Sequence, residues 1–112
     1  MSFKVEFKSN YLNIRYGGEL FLNNNLDDLK KLIINHPKKH IILDLLSVEE
    51  FQVVDSLVSF QSEFLDQNLS FIIVIREGLL NLFDEDLPVV PSKQEGIDFF
   101  EMDQIQRELQ EE

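Results

Sequence analysis

Phe3, Val5 and Phe7 alternate with Lys4, Glu6 and Lys8, a period of two that predicts a strand with one buried face. Ser9-Asn10 is a turn signal, and beyond it Leu12, Ile14 and Tyr16 alternate with Asn13 and Arg15. A second strand, antiparallel to the first, follows from that pattern, and Gly17-Gly18 ends it. The period then changes. Leu26, Leu29, Leu32 and Ile33 form a helical stripe. Asn25 is its expected N-cap, Asp27 and Asp28 fall in the expected first turn, and Asn35-His36-Pro37 is the stop.

The stretch Lys39-His40-Ile41-Ile42-Leu43-Asp44-Leu45-Leu46-Ser47 has no polar face, and neither has Phe71-Ile72-Ile73-Val74-Ile75. Runs apolar on both sides predict strands covered on both faces, here Ile41–Leu46 and Phe71–Ile75, adjacent, parallel and central in a sheet. Between them Val54, Leu57, Val58 and Leu65, widened by Phe60 and Phe64, predict a helix. Its start has two readings. Ser47-Val48-Glu49-Glu50 fits a capping box, or a loop runs on to Asp55 as the cap. Asp66-Gln67-Asn68 ends it, with Asn68 as the residue past the cap. Leu79, Leu80, Leu82 and Phe83 predict a short helix or turn, and Asp84-Glu85-Asp86 a solvated loop. Val89-Val90, flanked by Pro88 and Pro91, reads as a short edge strand. Ser92-Lys93-Gln94-Glu95 is a second capping box, opening a helix whose stripe is Ile97, Phe100, Ile105 and Leu109 and which frays after about residue 108. These elements predict one α/β domain over residues 1–112: a mostly parallel central sheet, an N-terminal antiparallel strand and about four helices.

Composition narrows the function. A hydrophobic content of 44%, with 10 Phe in 112 residues, supplies one core. Cysteine is absent, which excludes disulfides, thiolate nucleophiles and cysteine metal sites. A formal net charge of −11, from 21 acids and 10 bases, argues against nucleic-acid and anionic membrane surfaces as partners. No signal peptide or membrane-spanning run is read, and a cytoplasmic location is expected.

Candidate chemistry is sparse. His36 and His40 have helical metal-ligand spacing, but Pro37 lies between them and no acids cluster with them, so no metal is expected. Asp44, Asp55 and Glu63 read as paired carboxylates only in the weakest of the alternatives, a small acid-based hydrolase. No serine–histidine spacing points to an activated nucleophile. None of the four glycines opens a phosphate loop, and no cofactor is expected. Asp55-Ser56 carries more. A serine in the first turn of a helix after a central strand places a phosphate at free N–H groups and the positive dipole end.

Several of these residues together resemble the STAS domains, the fold of bacterial anti-sigma-factor antagonists. Gly18-Glu19-Leu20 resembles the G-E-L that follows that family's second strand. Ile41–Asp44 with Val48 and Asp55-Ser56-Leu57 resembles its strand ending in Asp and its Asp-Ser phosphoacceptor turn. Val89-Val90-Pro91-Ser92 through Glu95-Gly96 resembles its last strand and helix start. The resemblance implies a non-enzymatic regulatory module that binds a protein, an anti-sigma factor or another kinase-type regulator. It implies Ser56 as phosphoacceptor and Asp44, Ser47, Asp55, Ser56 and Leu57 as the partner-binding set. Two departures stand against the family pattern. Leu57-Val58 replaces small residues after the serine, and the loop from Asp44 to Asp55 is longer. They favour an accessory protein that binds its partner without phosphorylation. The oligomeric state is left open.

Overall fold

In the computed structural model, which describes residues 3–110, the elements run β1 (Phe3–Phe7), β2 (Leu12–Tyr16), β3 (Leu20–Phe21), α1 (Asn23–Ile34), β4 (Ile41–Asp44), β5 (Glu50–Phe51), α2 (Val54–Asp66), β6 (Phe71–Val74), a 3-10 helix (Glu77–Leu82), β7 (Val89–Val90) and α3 (Lys93–Gln110). The five main strands lie in the order β1-β2-β4-β6-β7. β1 and β2 are antiparallel and all the other pairs are parallel, so the predicted mostly parallel α/β sheet with an antiparallel N-terminal strand is the observed one. β4 and β6 are adjacent and parallel, with Ile42 opposite Ile72. No described helix is long and apolar enough to cross a membrane.

The doubly apolar runs have the expected cause. Ile41, Leu43, Phe71 and Ile73 face a core shared with Leu26, Leu29 and Ile33 of α1 and Leu57 and Phe64 of α2. Ile42, Ile72 and Val74 face the other way, under Phe100 of α3. Neither side of these strands meets water, so neither side can be polar. Gly96 lets α3 settle closely on this second face, since a Cβ there would lie 3.0 Å from the Val74 side chain. That cover also reaches β2. Asn13, expected on a polar face, is fully buried, and its amide finds no hydrogen-bond partner among the described residues.

Several element ends differ from the sequence expectations. α1 begins at Asn23, so Asn25 is its third residue and not its cap. The Asn25 Oδ1 accepts the Leu22 N–H at 2.9 Å, serving the helix entry from inside the first turn. Asp27 and Asp28 consequently lie beyond the first turn. α2 begins at Val54, so Ser47 is not a helix cap and the loop alternative is the one observed, with Asp55 inside the helix instead of capping it. Asn68 is the residue past the α2 cap, left-handed at φ 60°. The Leu69 N–H reaches the Phe64 carbonyl at 2.8 Å and the Asn68 N–H the Leu65 carbonyl at 2.9 Å, the paired bonds of a Schellman end. Ser92 opens α3, where its Oγ accepts the Glu95 N–H at 3.2 Å and donates to the Glu95 carboxylate at 2.9 Å.

Two stripe assignments fail for geometric reasons. Leu65 was expected in the α2 stripe but is 72% exposed, because Leu57, Gln61 and Phe64 form the buried side. Ile105 and Leu109 are exposed although Phe100 is buried. An 18-residue helix is about 27 Å long, while a four-residue strand covers about 13 Å, so the second half of α3 overhangs the sheet. A polar cluster seats that half instead. The Arg107 guanidinium donates to the Asn68 Oδ1 at 3.0 Å and the Ser70 Oγ at 2.7 Å, and pairs with Asp103 at 3.2 Å.

Candidate interaction surface

At the carboxyl end of β4 the chain turns back on itself. Asp44 is buried at 7% exposure, and its Oδ1 accepts the Leu46 N–H at 3.0 Å. The Val48 N–H closes the turn on the Leu45 carbonyl at 3.0 Å. The Ser47 hydroxyl lies 2.8 Å from both the Tyr16 and the Gly18 carbonyl oxygens, tying the loop to the end of β2. Just beyond, the Glu19 carbonyl accepts N–H bonds from Glu49 and Glu50, and β3 pairs with β5 in a small parallel sheet. Two-residue strands have no period to detect, which is why the sequence pattern does not announce them.

Gly18 permits this junction. A Cβ on Gly18 would overlap the Tyr16 hydroxyl and lie under 3 Å from two of its ring carbons. Tyr16 is itself buried and donates its hydroxyl to the Leu20 carbonyl at 2.6 Å. Burial, and secondarily Asp28, pushes its phenol above the usual value of 10.0. Arg76, just past β6, clamps the loop from the other side. Its guanidinium donates to the Leu46 carbonyl at 3.2 Å and lies 3.7 Å from the Glu49 carboxylate. Nothing in the pattern around Arg76 marks it beforehand except its place at a strand end.

The five residues of the expected partner-binding set thus divide. Asp44 accepts a bond from within the loop through its Oδ1, and the Ser47 hydroxyl is spent on the carbonyls at the end of β2. Leu57 is fully buried, its side chain directed into the core and away from any surface. Asp55 and Ser56 are exposed, as the second and third residues of α2, and line a shallow recess with Asn23, Phe51 and Val54. Val53, buried just before the helix, offers no side-chain cap, and the Leu57 N–H begins the helical ladder on the Val53 carbonyl at 2.9 Å. The first-turn N–H groups therefore face outward at the same end as the Ser56 hydroxyl.

The histidines serve separate roles. His36 rests edge-on against Phe7 at 5.3 Å, and His40 against Phe100 at 5.4 Å. The His40 Nδ1 accepts the Ser70 N–H at 3.0 Å, which requires the ring neutral at that atom. Burial, then the nearby Arg107 charge, holds its pKa below the usual 6.5, with Asp103 opposing. The Ser70 hydroxyl sits among Asp103, Gln104 and Arg107, and the imidazole bonds the backbone N–H and not that hydroxyl. Among the described residues no group of three or more His, Cys, Asp or Glu is placed to hold a metal ion. No protein-family model matches the chain, and no curated protein matches it.

Proposed function

We propose that this protein is a non-enzymatic protein-interaction module of the anti-sigma-factor-antagonist kind, and that a protein partner docks on the first turn of α2. The observation that carries this reading is the division among the five loop residues. Asp44 and Ser47 hold the loop together, Leu57 and Val53 fix the helix start from beneath, and Asp55 and Ser56 are left facing out. A partner meets a pre-set turn with one carboxylate and one hydroxyl, so little ordering is needed on binding. A phosphate on Ser56 would add roughly two negative charges beside Asp55 at a helix N-terminus, where the fold tolerates them and a docked surface does not.

A second reading, partner binding without phosphorylation, is favoured by Leu57 and Val58. The Leu57 side chain fills the core, and Val58 is half-buried, where the resembled family carries small residues. Capture from an extract of the native cell, followed by binding measurements on the isolated partner, separates the readings. A phosphoswitch predicts that Ser56→Asp weakens binding by at least ~1 kcal/mol, that Ser56→Ala binds normally, and that thermal stability is unchanged in both. Equal binding by Ser56→Asp leaves the unphosphorylated reading. An Asp55→Lys variant that binds as wild type would remove the α2 turn from the interface and with it both readings.

A further inference from the structure

The outer edge of β1 is unpaired among the described residues, and its backbone and side chains are self-complementary in one register. The Lys8 N–H donates to the Tyr11 carbonyl at 3.0 Å. The antiparallel register then places the β2-directed N–H and C=O groups of β1 on Lys4 and Glu6, opposite Arg15 and Asn13. The outward-directed groups belong to Phe3, Val5 and Phe7. A second β1 strand can use those groups only in an antiparallel register that pairs odd-numbered residues with odd. Centred on Val5, that register pairs all five residues of the strand, with Phe3 facing Phe7 and Lys4 facing Glu6 twice over. Centred on Phe7, it runs into the Ser9-Asn10 turn and pairs less of the strand.

We propose that this edge is a homodimer interface, in which two copies pair their β1 strands antiparallel about Val5 and join two five-stranded sheets into one. Three observations support a second copy as the occupant. The charge order Lys-Glu-Lys ordinarily deters pairing on an edge strand, yet here it makes one register attractive. Phe7 is 68% exposed beside a strand whose other apolar residues are half-covered, and the partner's Phe3 would cover it. The Lys4–Glu6 contacts fall at the non-hydrogen-bonded positions, where side chains approach most closely. This inference is independent of the α2 surface, since it uses the outer edge of β1 whereas α2 packs against β6.

Charge swaps on the full chain test it. Lys4→Glu places carboxylate against carboxylate at both symmetry-related contacts, and Glu6→Lys places ammonium against ammonium. Each variant is expected to dissociate about tenfold more readily than wild type in sedimentation equilibrium, the effect of reversing two cross-strand pairs. In an equal mixture of the two, a Lys4→Glu chain presents only carboxylates at positions 4 and 6 and a Glu6→Lys chain only ammonium groups. Both contacts are then between opposite charges, and dimers should return. Far-UV circular dichroism checks that each variant is folded. A wild type that stays monomeric at up to about 1 mM overturns the proposal. A wild-type dimer that both variants leave intact lies on another surface, such as the exposed α3 residues Met102 and Ile105, and overturns it equally. Variants that dissociate but do not recover on mixing refute the Val5-centred register.

Discussion

Gly18→Ala tests the junction on which the candidate surface rests. The added methyl would overlap the Tyr16 hydroxyl and start 2.6 Å from Cζ and 2.8 Å from Cε2, all well inside contact distance. The ring has little room to yield. It is 4% exposed and packs against Phe3 at 5.0 Å and Phe21 at 5.2 Å. Moving it gives up the bond to the Leu20 carbonyl, worth about 1 kcal/mol net. Overpacking adds about 1–3 kcal/mol. Restricting the unfolded chain returns about 0.4–1 kcal/mol. The variant should therefore be less stable by about 1–3.6 kcal/mol, a fall in Tm of about 4–14 °C for a chain of this size. Urea and thermal unfolding measure it. The decisive control is Tyr16→Leu, which removes all three clashing atoms. In that background Gly18→Ala should cost less than about 0.5 kcal/mol. Amide exchange should report the same event locally, with faster exchange at Glu49 and Glu50, whose N–H groups bond the Glu19 carbonyl. An equal cost in both backgrounds would mean that the Tyr16 contact is not what excludes a side chain at Gly18.

Two further expectations follow from packing and from charge. Leu57→Ala should lose about 2–5 kcal/mol in chemical denaturation, whereas Leu65→Ala, on the same helix but 72% exposed, should stay within about 0.5 kcal/mol; similar losses from both would contradict the assigned buried side. The lowered His40 pKa means that the unfolded state takes up a proton before the folded state does. The His40 contribution to stability is then fully present above pH 6.5 and is lost as pH falls below it toward the lowered value. His40→Gln should flatten this part of the stability–pH curve relative to wild type, and an unchanged slope would show that the ring does not bond Ser70 as a neutral acceptor.

Periodicity alone determined much of this protein. The alternation in residues 3–16 specified a hairpin, and the unbroken apolar runs at Ile41 and Phe71 specified two strands with no face to spare for water. Pro88 and Pro91 confined Val89-Val90 to an edge, and the Ser92 and Asn68 helix ends followed from local chemistry that needs no distant partner. What lies beyond reach of pattern is contact between segments far apart in the chain. The β3–β5 pair joins residues with no period of their own, and the packing of Gly18 against Tyr16 is a matter of a few ångströms between side chain and backbone. Asn13 alternates as a surface residue should, yet it is buried because α3 returns over that face of the sheet. Ile105 fits a helical stripe, yet it is exposed because the helix is about twice as long as the strands beneath it. Asp44, Ser47, Asp55, Ser56 and Leu57 are equally conspicuous in the sequence as a loop cluster. Only the tertiary structure separates the two that spend their hydrogen bonds inward and the one sealed in the core from the two left on the surface, because burial depends on what the rest of the chain lays over them.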